Sequence, residues 1–328
     1  MPTFPPLPAP TRELSIPEFS IGHGTDALGM TGITVILCPE GAIAAADVRG
    51  SATGTRQFDS LVASHHIATR AHAVVLAGGS GFGLSAADPV VEHLAARGHG
   101  FDAGVAVVPL VPTAILFDLA YGDPAARPHS GLAREALEAA GAGLVPVGSV
   151  GAGTGATVGK ALGPASAMKG GFGFASLSVP GGPTVAAAVA VNAFGDVRDP
   201  ETGRILAGCR AAPESFELAF GDRVLAALPP ESPHPWEGNT TLAVVLTDAL
   251  LSKAAALKVC QMAFGAFYRA LSPALSLYDG DLVVTLSLGS RRAHVHQVGV
   301  LAERALGCAI ATAILEADGF GLLPAARR

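Results

Sequence analysis

Two adjacent threonines, Thr240 and Thr241, open the apolar run in "EGNTTLAVVLTDA" (237–249), directly after the Pro-rich polar loop "LPPESPHPWEGN" (228–239). A β-branched residue at the start of a strand is ordinary. A second reading gives the hydroxyl a task. A threonine hydroxyl is a weak nucleophile at neutral pH and needs a base; if the bond before Thr240 is cut, its freed α-amine, with a pKa near ~8 before burial, supplies that base one residue from the hydroxyl. Two more groups are candidates for chemistry. Lys160 is one of only four lysines and sits in the glycine loop "GAGTGATVGKALG" (151–163), where its ammonium can approach a reacting centre. Asp279 and Asp281 in "YDGDLVV" have a spacing of two. In extended chain that places both carboxylates on one face, about 6 to 7 Å apart. Such a pair fits a divalent metal, a solvated turn, or a device that orients a nucleophile. With no further acidic ligands at calcium-loop spacing, the metal reading is the weakest.

Other patterns carry less chemistry. The glycine loop lacks the P-loop's first Gly and its final Ser or Thr, since Thr154 and Ala161 stand at those positions. Gly81, Gly83 and Ala86 in "LAGGSGFGLSAAD" (76–88) match a dinucleotide fingerprint, but a chain rich in Gly and Ala produces it readily, and prolines interrupt the βαβ unit that should come after it. His294 and His296 in "RRAHVHQ" read as alternating on one strand face, and His65 and His66 are neighbours; neither pair has a Cys or carboxylate at ligand spacing, so no metal is expected. Cys38, Cys209, Cys260 and Cys308 form no CxxC pair and read as free thiols.

Elements must hold these groups in place. The 328 residues are half hydrophobic, enough for a sizeable core, and carry 41 glycines, about 12 per cent against a usual ~7 per cent, without a fixed period. A formal net charge of -6 without a long basic run argues against a nucleic-acid partner. Apolar stretches such as "VAVVPLVPTAILFDLA" (105–120) are broken before spanning length, so no membrane segment is expected. The start, "MPTFPPLPAPTREL", has neither a basic nor a continuous apolar region; it reads as an extended Pro-rich arm of residues 1–14, and a cytoplasmic location is expected. Strands are predicted at 33–40, 72–79, 104–111, 183–195, 240–249 and 281–289, and helices at 84–98, 131–141, 251–271 and 298–318. Two of those helices are apolar nearly all round, which predicts a layered α/β body with covered sheets.

The segment "EGNTTLAVVLTDA" is similar to the autocleavage segment of the autoproteolytic aminopeptidase and nylon-oligomer hydrolase family, the DmpA/NylC type. So, in order, are "DVRGSATGTRQFDSL", "LAGGSGFGLSAADPVVEHLAARGHGF", "VPTAILFDL", "VGAGTGATVGKALG", "AVAVNAFGDV" and "YDGDLVVTLSLG", which together span nearly the whole chain. This resemblance implies a four-layer αββα sandwich of the N-terminal-nucleophile kind, shared with ornithine acetyltransferases. It implies a single catalytic domain, 15–328, made as an inactive precursor that cuts itself between Asn239 and Thr240 into an α chain, 1–239, and a β chain, 240–328. The family's lysine falls on Lys160, its asparagine on Asn192 and its carboxylates on Asp279 and Asp281. Asn192 then donates an N–H to the oxyanion, Lys160 holds or moves the proton, and the two aspartates offset its charge and position the amine. Where many members carry a tyrosine this chain has Phe117, expected with Leu116 and Gly159 to line the acyl pocket. The Lys, Asn and Asp-x-Asp set resembles the hydrolases that cut internal amides, including 6-aminohexanoate oligomers. An aminopeptidase acting on short or β-amino-acid peptides is the first alternative, an acyltransferase of the ornithine acetyltransferase kind the second. No cofactor is implied, and the assembly implied is a tetramer built as a dimer of dimers.

Overall fold

The computed structural model describes residues 8–231 and 238–327. Ser20–Asp26 (β1) pairs antiparallel with the first half of Thr31–Val48 (β2), an 18-residue strand that turns a corner. The register of β2 against Arg70–Ala77 (β3) shifts between Leu37 and Ala42, next to Gly41 at φ +80°. A left-handed residue there bends the strand, so that its two halves serve two sheets. The first half joins β1 and β3. After the helix Asp88–Ala95 (α1), Thr113–Ile115 (β4) extends this sheet parallel to β3. Ser130–Glu138 (α2) then packs back on β1 and β2.

The second sheet starts with the antiparallel pair Gly171–Ser178 (β5) and Thr184–Asn192 (β6), followed by Thr240–Ala249 (β7). Lys253–Ala270 (α3) crosses over to Leu282–Arg291 (β8), which lies parallel to β7 and antiparallel to the second half of β2. The order is therefore β5-β6-β7-β8-β2. Val295–Leu315 (α4) closes the chain's regular structure.

Three buried clusters mark four layers. Between the sheets, Ile36, Val74 and Leu76 meet Phe172, Phe174, Leu242, Val244 and Leu246. Outside the second sheet, Val189, Val245 and Val283 meet Phe264, Leu306 and Ile310 of α3 and α4. Outside the first, Val35 and Val75 meet Val90, Leu94 and Leu132 of α1 and α2. Along β7 the side chains alternate between the inner and outer clusters, and both sets are apolar because both faces are covered. This is the expected αββα sandwich.

Several sequence expectations change in detail. The run 104–111 is not a sheet strand: Phe101–Asp102 and Val107–Val108 form a small hairpin whose Phe101, Val107 and Val108 stay exposed, with Val105 at its tip. Two sheet strands, β1 and β5, were not predicted: β1 lacks an alternating apolar signal, and in β5 Phe172 and Phe174 alternate with glycines rather than with polar residues. A Cβ on Gly24 of β1 would lie 2.0 Å from the Leu132 carbonyl oxygen of α2, and one on Gly173 of β5 would lie 1.9 Å from that of Ala309 on α4. Glycine is there because helix backbone presses on the strand. The predicted helix 84–98 begins as a 3-10 turn over Ser80–Ala87 and becomes α-helical at Asp88. The arm's residues 1–7 and the loop residues 232–237 lie outside the described residues; Glu13–Leu14 pairs with Gly143–Leu144, and Thr11 bridges Ser176. By length and composition α4 could cross a membrane, yet it is largely buried against β5, β6 and α3.

Candidate active site

The start of β7 is built between two neighbours. In the antiparallel register Thr240 stands opposite Asn192, the last residue of β6. On the other side Asn239 forms a parallel bridge with Asp279, in the segment leading into β8. Sheet pairing alone thus gathers Thr240, Asn192 and the aspartates. Lys160 arrives from outside the sheet on the glycine loop, whose Gly159 takes φ +73° with its α-carbon pressed against the backbone of Gly208 and Cys209. Lys160 N and Gly159 N donate to the Phe194 and Gly195 carbonyls just beyond β6, tying the loop to the strand end.

All these groups are buried: Thr240 is 3% exposed, Asn239 2%, Lys160 and Asp279 1%, and Asn192 and Asp281 0%. Lys160 Nζ donates to Asn192 O and to Asn192 Oδ1, each at 3.0 Å, and reaches Gly238 O at 3.4 Å. Asn192 Oδ1 also accepts from Thr157 N at 2.9 Å. With its oxygen side occupied by donors, the amide turns its nitrogen to acceptors, Phe117 O at 3.0 Å and Gly238 O at 3.2 Å. The carbonyl that precedes Thr240 is held differently. Gly280 N donates to Asn239 O at 3.0 Å, and the Thr240 hydroxyl touches the same oxygen. A Cβ at position 280 would come within 2.7 Å of Thr240 Oγ1 and 2.8 Å of Ala52 O, so only glycine fits.

The carboxylates are fixed by backbone. Asp281 Oδ1 accepts from Thr241 N at 2.6 Å; Asp279 Oδ1 accepts from Phe194 N at 3.0 Å, and its Oδ2 from the Ser276 hydroxyl at 2.5 Å. Burial raises the pKa of both, and Asp279 pushes Asp281 further up. Burial brings Lys160 down to about 7, against the opposing pull of Asp279 and Asp281. With Lys160 brought to about 7 beside two carboxyls that burial pushes upward, the site can give and take a proton at neutral pH.

Sequence reasoning named the five residues that meet here but missed their support. Lys169, fully buried, donates from Nζ to Gly153 O at 2.8 Å and to Ala156 O and Gly170 O at 3.0 Å, which pins the loop that carries Thr157 and Lys160. Burial lowers its pKa to about 7. Asp118, next to Phe117, accepts from Thr31 Oγ1 at 2.8 Å and Gly79 N at 2.7 Å. That second bond uses the backbone of the "GGSG" turn for structure. The one available signal for Lys169 was a scarce lysine inside "AMKGGFGF", an otherwise apolar and glycine-rich stretch. Among the pocket expectations, Leu116 packs in the inner core, Gly159 lies against backbone, and Phe117 contributes its carbonyl to the site. The Pro-rich polar loop 228–239 is buried at its end, at Gly238 and Asn239.

His294 and His296 do not alternate on a strand. His294 caps α4, its Nδ1 accepting from His296 N at 3.3 Å, and the two rings stack at 5.1 Å. No group of three or more His, Cys, Asp or Glu is arranged for a metal among the described residues.

The chain is thus a four-layer αββα sandwich with a buried Thr, Lys, Asn and two Asp gathered at the head of a central strand. The chain is similar in structure to a Burkholderia sp. beta-aminopeptidase (TM-score 0.69, 19% identity, covering 98% of this chain and 92% of that one). It is equally similar to an L-aminopeptidase D-Ala-esterase/amidase from Ochrobactrum anthropi, described as a variant of the Ntn hydrolase fold (TM-score 0.69, 19% identity, 99% and 93%). In sequence it is 36% identical to an uncharacterized aminopeptidase of Mycobacterium leprae (strain TN) over 341 residues, 94% of this chain and 88% of the relative. It is 30% identical to a 6-aminohexanoate-oligomer endohydrolase of Paenarthrobacter ureafaciens over 299 residues, 86% and 77%. A family profile described as peptidase family S58 matches residues 15–320. The chain belongs to that family and is an amide-bond hydrolase.

Proposed function

We propose that this protein is an autoprocessed N-terminal threonine amidohydrolase that cuts internal bonds of linear amides, peptides or 6-aminohexanoate oligomers, through an acyl-enzyme. The observation that carries this reading is the contact set on one carbonyl: Asn239 O faces both the Thr240 hydroxyl and the Gly280 N–H. Thr240 Oγ adds to the Asn239 carbonyl carbon as Lys160, the buried base of the site, takes the hydroxyl proton. The negative charge that develops on Asn239 O is held by Gly280 N–H, a pre-aligned backbone donor. Collapse breaks the C–N bond, and the leaving nitrogen takes a proton to become the α-amine of Thr240. Water then hydrolyses the ester, restoring the hydroxyl and leaving a carboxylate on Asn239. In the mature enzyme the α-amine is the base within reach of Thr240 Oγ, and Asp279 and Asp281 offset the positive charge that collects around it.

A second reading, an aminopeptidase with the same machinery, is favoured by the name of the relative at 36% identity. The resemblance also supports a tetramer as the working assembly. The test of the nucleophile is the intact mass of the purified protein. Wild type is expected as two fragments that begin at Met1 and Thr240, and Thr240→Ala as one uncut chain of 32.8 kDa without hydrolase activity. An uncut wild type with full activity, or full turnover in Thr240→Ala, overturns the reading.

A further inference from the structure

Thr240 is 3% exposed, yet an outside substrate has to reach its hydroxyl. The space beside that hydroxyl has a second border. The position a Cβ on Gly280 would take is 2.7 Å from Thr240 Oγ1, 2.8 Å from Ala52 O and 3.1 Å from Ala52 C, so the nucleophile and the Ala52 peptide face one gap that glycine leaves open. Unlike Thr240, Lys160, Asn192 and the aspartates, Ala52 is exposed, as is Ser51 beside it. Water and the buried hydroxyl are thus separated by one residue.

Ala52 lies in "DVRGSATGTR" (47–56), a stretch without a part in the proton chemistry but tied down along its length. Arg49 N and Gly50 N donate to Asp281 O at 3.1 and 2.9 Å, and Ala52 N donates to Asp279 O at 3.0 Å. The Arg49 guanidinium donates to Asp47 Oδ2 at 2.8 Å and to the Tyr268 hydroxyl at 3.3 Å, and it lies over the Phe264 ring at 4.3 Å, which fastens this end to α3. At the other end Gly54–Arg56 pairs antiparallel with β4, and Arg56 donates to Asp88 Oδ1 of α1 at 2.6 Å. Between them Thr53 Oγ1 donates to Gly50 O at 3.1 Å. A segment held at both ends and through its backbone does not swing aside, so the width of the opening is left to side-chain size.

We infer that Ala52 is the specificity-determining residue at the entrance to Thr240: its methyl side chain sets how bulky a group can stand beside the hydroxyl. A hydroxyl, a glycine and an alanine border the gap, none of them charged. The part of the substrate that passes there is therefore uncharged and slender, a small side chain or an unbranched methylene chain. This rests on the Thr240 reading and adds the access route to it. Self-cleavage needs no substrate to enter, only water to finish it, so the two activities respond differently to a change at position 52.

The test places Ala52→Leu and Ala52→Gly in the full chain and follows self-cleavage by intact mass. The cut enzymes are then compared in kcat/KM on alanine p-nitroanilide against leucine p-nitroanilide. They are also compared in the rate at which methanesulfonyl fluoride and phenylmethanesulfonyl fluoride label Thr240, read by peptide mass, which needs no turnover. In Ala52→Leu self-cleavage is expected at the wild-type rate, while the bulky member of each pair loses about tenfold or more relative to the small one. In Ala52→Gly the bulky-to-small ratio is expected to move the other way. Ratios unchanged in both variants overturn the inference, and an unchanged ratio in Ala52→Gly does so alone if the leucine variant fails to fold. Loss of self-cleavage in Ala52→Leu at an unchanged denaturant midpoint also overturns it, because the residue then places the nucleophile rather than the entrance. A wild type that hydrolyses either anilide uncut, or that loses activity through label on another residue, is the separate failure of the Thr240 reading.

Discussion

In the proposed mechanism Lys160 is the residue on which the proton chemistry turns, and its burial predicts a pH profile. Its ordinary pKa of 10.5 falls to about 7 because burial strips water from the ammonium, even with Asp279 and Asp281 pulling it back up. If neutral Lys160 is the base for self-cleavage, the first-order rate rises about tenfold per pH unit below pH 7 and levels above it. Stability moves with a sign that keeps the two effects apart. Between about 7 and 10.5 the unfolded chain binds this proton and the folded chain does not, so this group makes the fold more stable as pH rises through that window. Below about 7 both states hold the proton and the group contributes no further change. A time course of precursor disappearance at pH 5.5, 6.5, 7.5 and 8.5, with denaturant midpoints at the same values, separates base from fold. A rate independent of pH across this range removes Lys160 from that role.

At the scale of elements, the glycine loop is a rigid bracket rather than a flexible strap, and Lys169 makes it so. Three carbonyls, two from the loop and one from the turn into β5, converge on one fully buried ammonium. Replacing it by methionine keeps the approximate length but leaves those oxygens without a donor. Lys169→Met is expected to lose about 3–5 kcal/mol of stability, measured from the denaturant midpoint and slope, and to slow self-cleavage. Unchanged stability would mean that the loop is held by its backbone pairing alone. The same element explains what the sequence could and could not disclose. Thr240, Lys160 and the Asp-x-Asp pair stood out because each is an unusual residue in a segment with strong local character, whereas Asn192 was placed only by the family resemblance. Gly280 and the carbonyls of Phe117 and Gly238 did not stand out, because backbone groups leave no residue-type signature, and Lys169 offered only its scarcity in a glycine-rich stretch, which says nothing of the carbonyls it holds. The strands followed the same division. β6, β7 and β8 are apolar on both faces and announce themselves, while Gly24 in β1 and Gly173 in β5 surrender their side chains to the close approach of α2 and α4, which leaves those faces without an apolar signal.

For the whole molecule, the position of the proposed cut decides whether processing would leave one body or two. Residues 240–328, the proposed β chain, supply β7, α3, β8 and α4; residues 1–239, the proposed α chain, supply β6 and β2, which flank β7 and β8 in the sheet order β5-β6-β7-β8-β2. The β-chain strands are thus inserted in the middle of a sheet whose both margins belong to the α chain. Separation would break the β6–β7 ladder from Val185 opposite Thr247 to Asn192 opposite Thr240, and the β8–β2 ladder from Leu282 opposite Val48 to Ser287 opposite Ile43. It would also bring Leu242, Val244, Leu246, Leu282, Val284 and Leu286 into water, each worth about 1.5–3 kcal/mol when fully buried. Cutting one bond at the head of β7 removes none of these contacts. Fully processed protein is therefore expected to run as two bands under denaturing conditions yet to elute as one species by gel filtration with light scattering, at 32.8 kDa or a multiple of it. Both fragments are expected to unfold in a single transition, because neither half retains a sheet of its own with both faces covered. Free β chain in a native elution profile, or two separate transitions, would show that the inserted strands are not what holds the halves together.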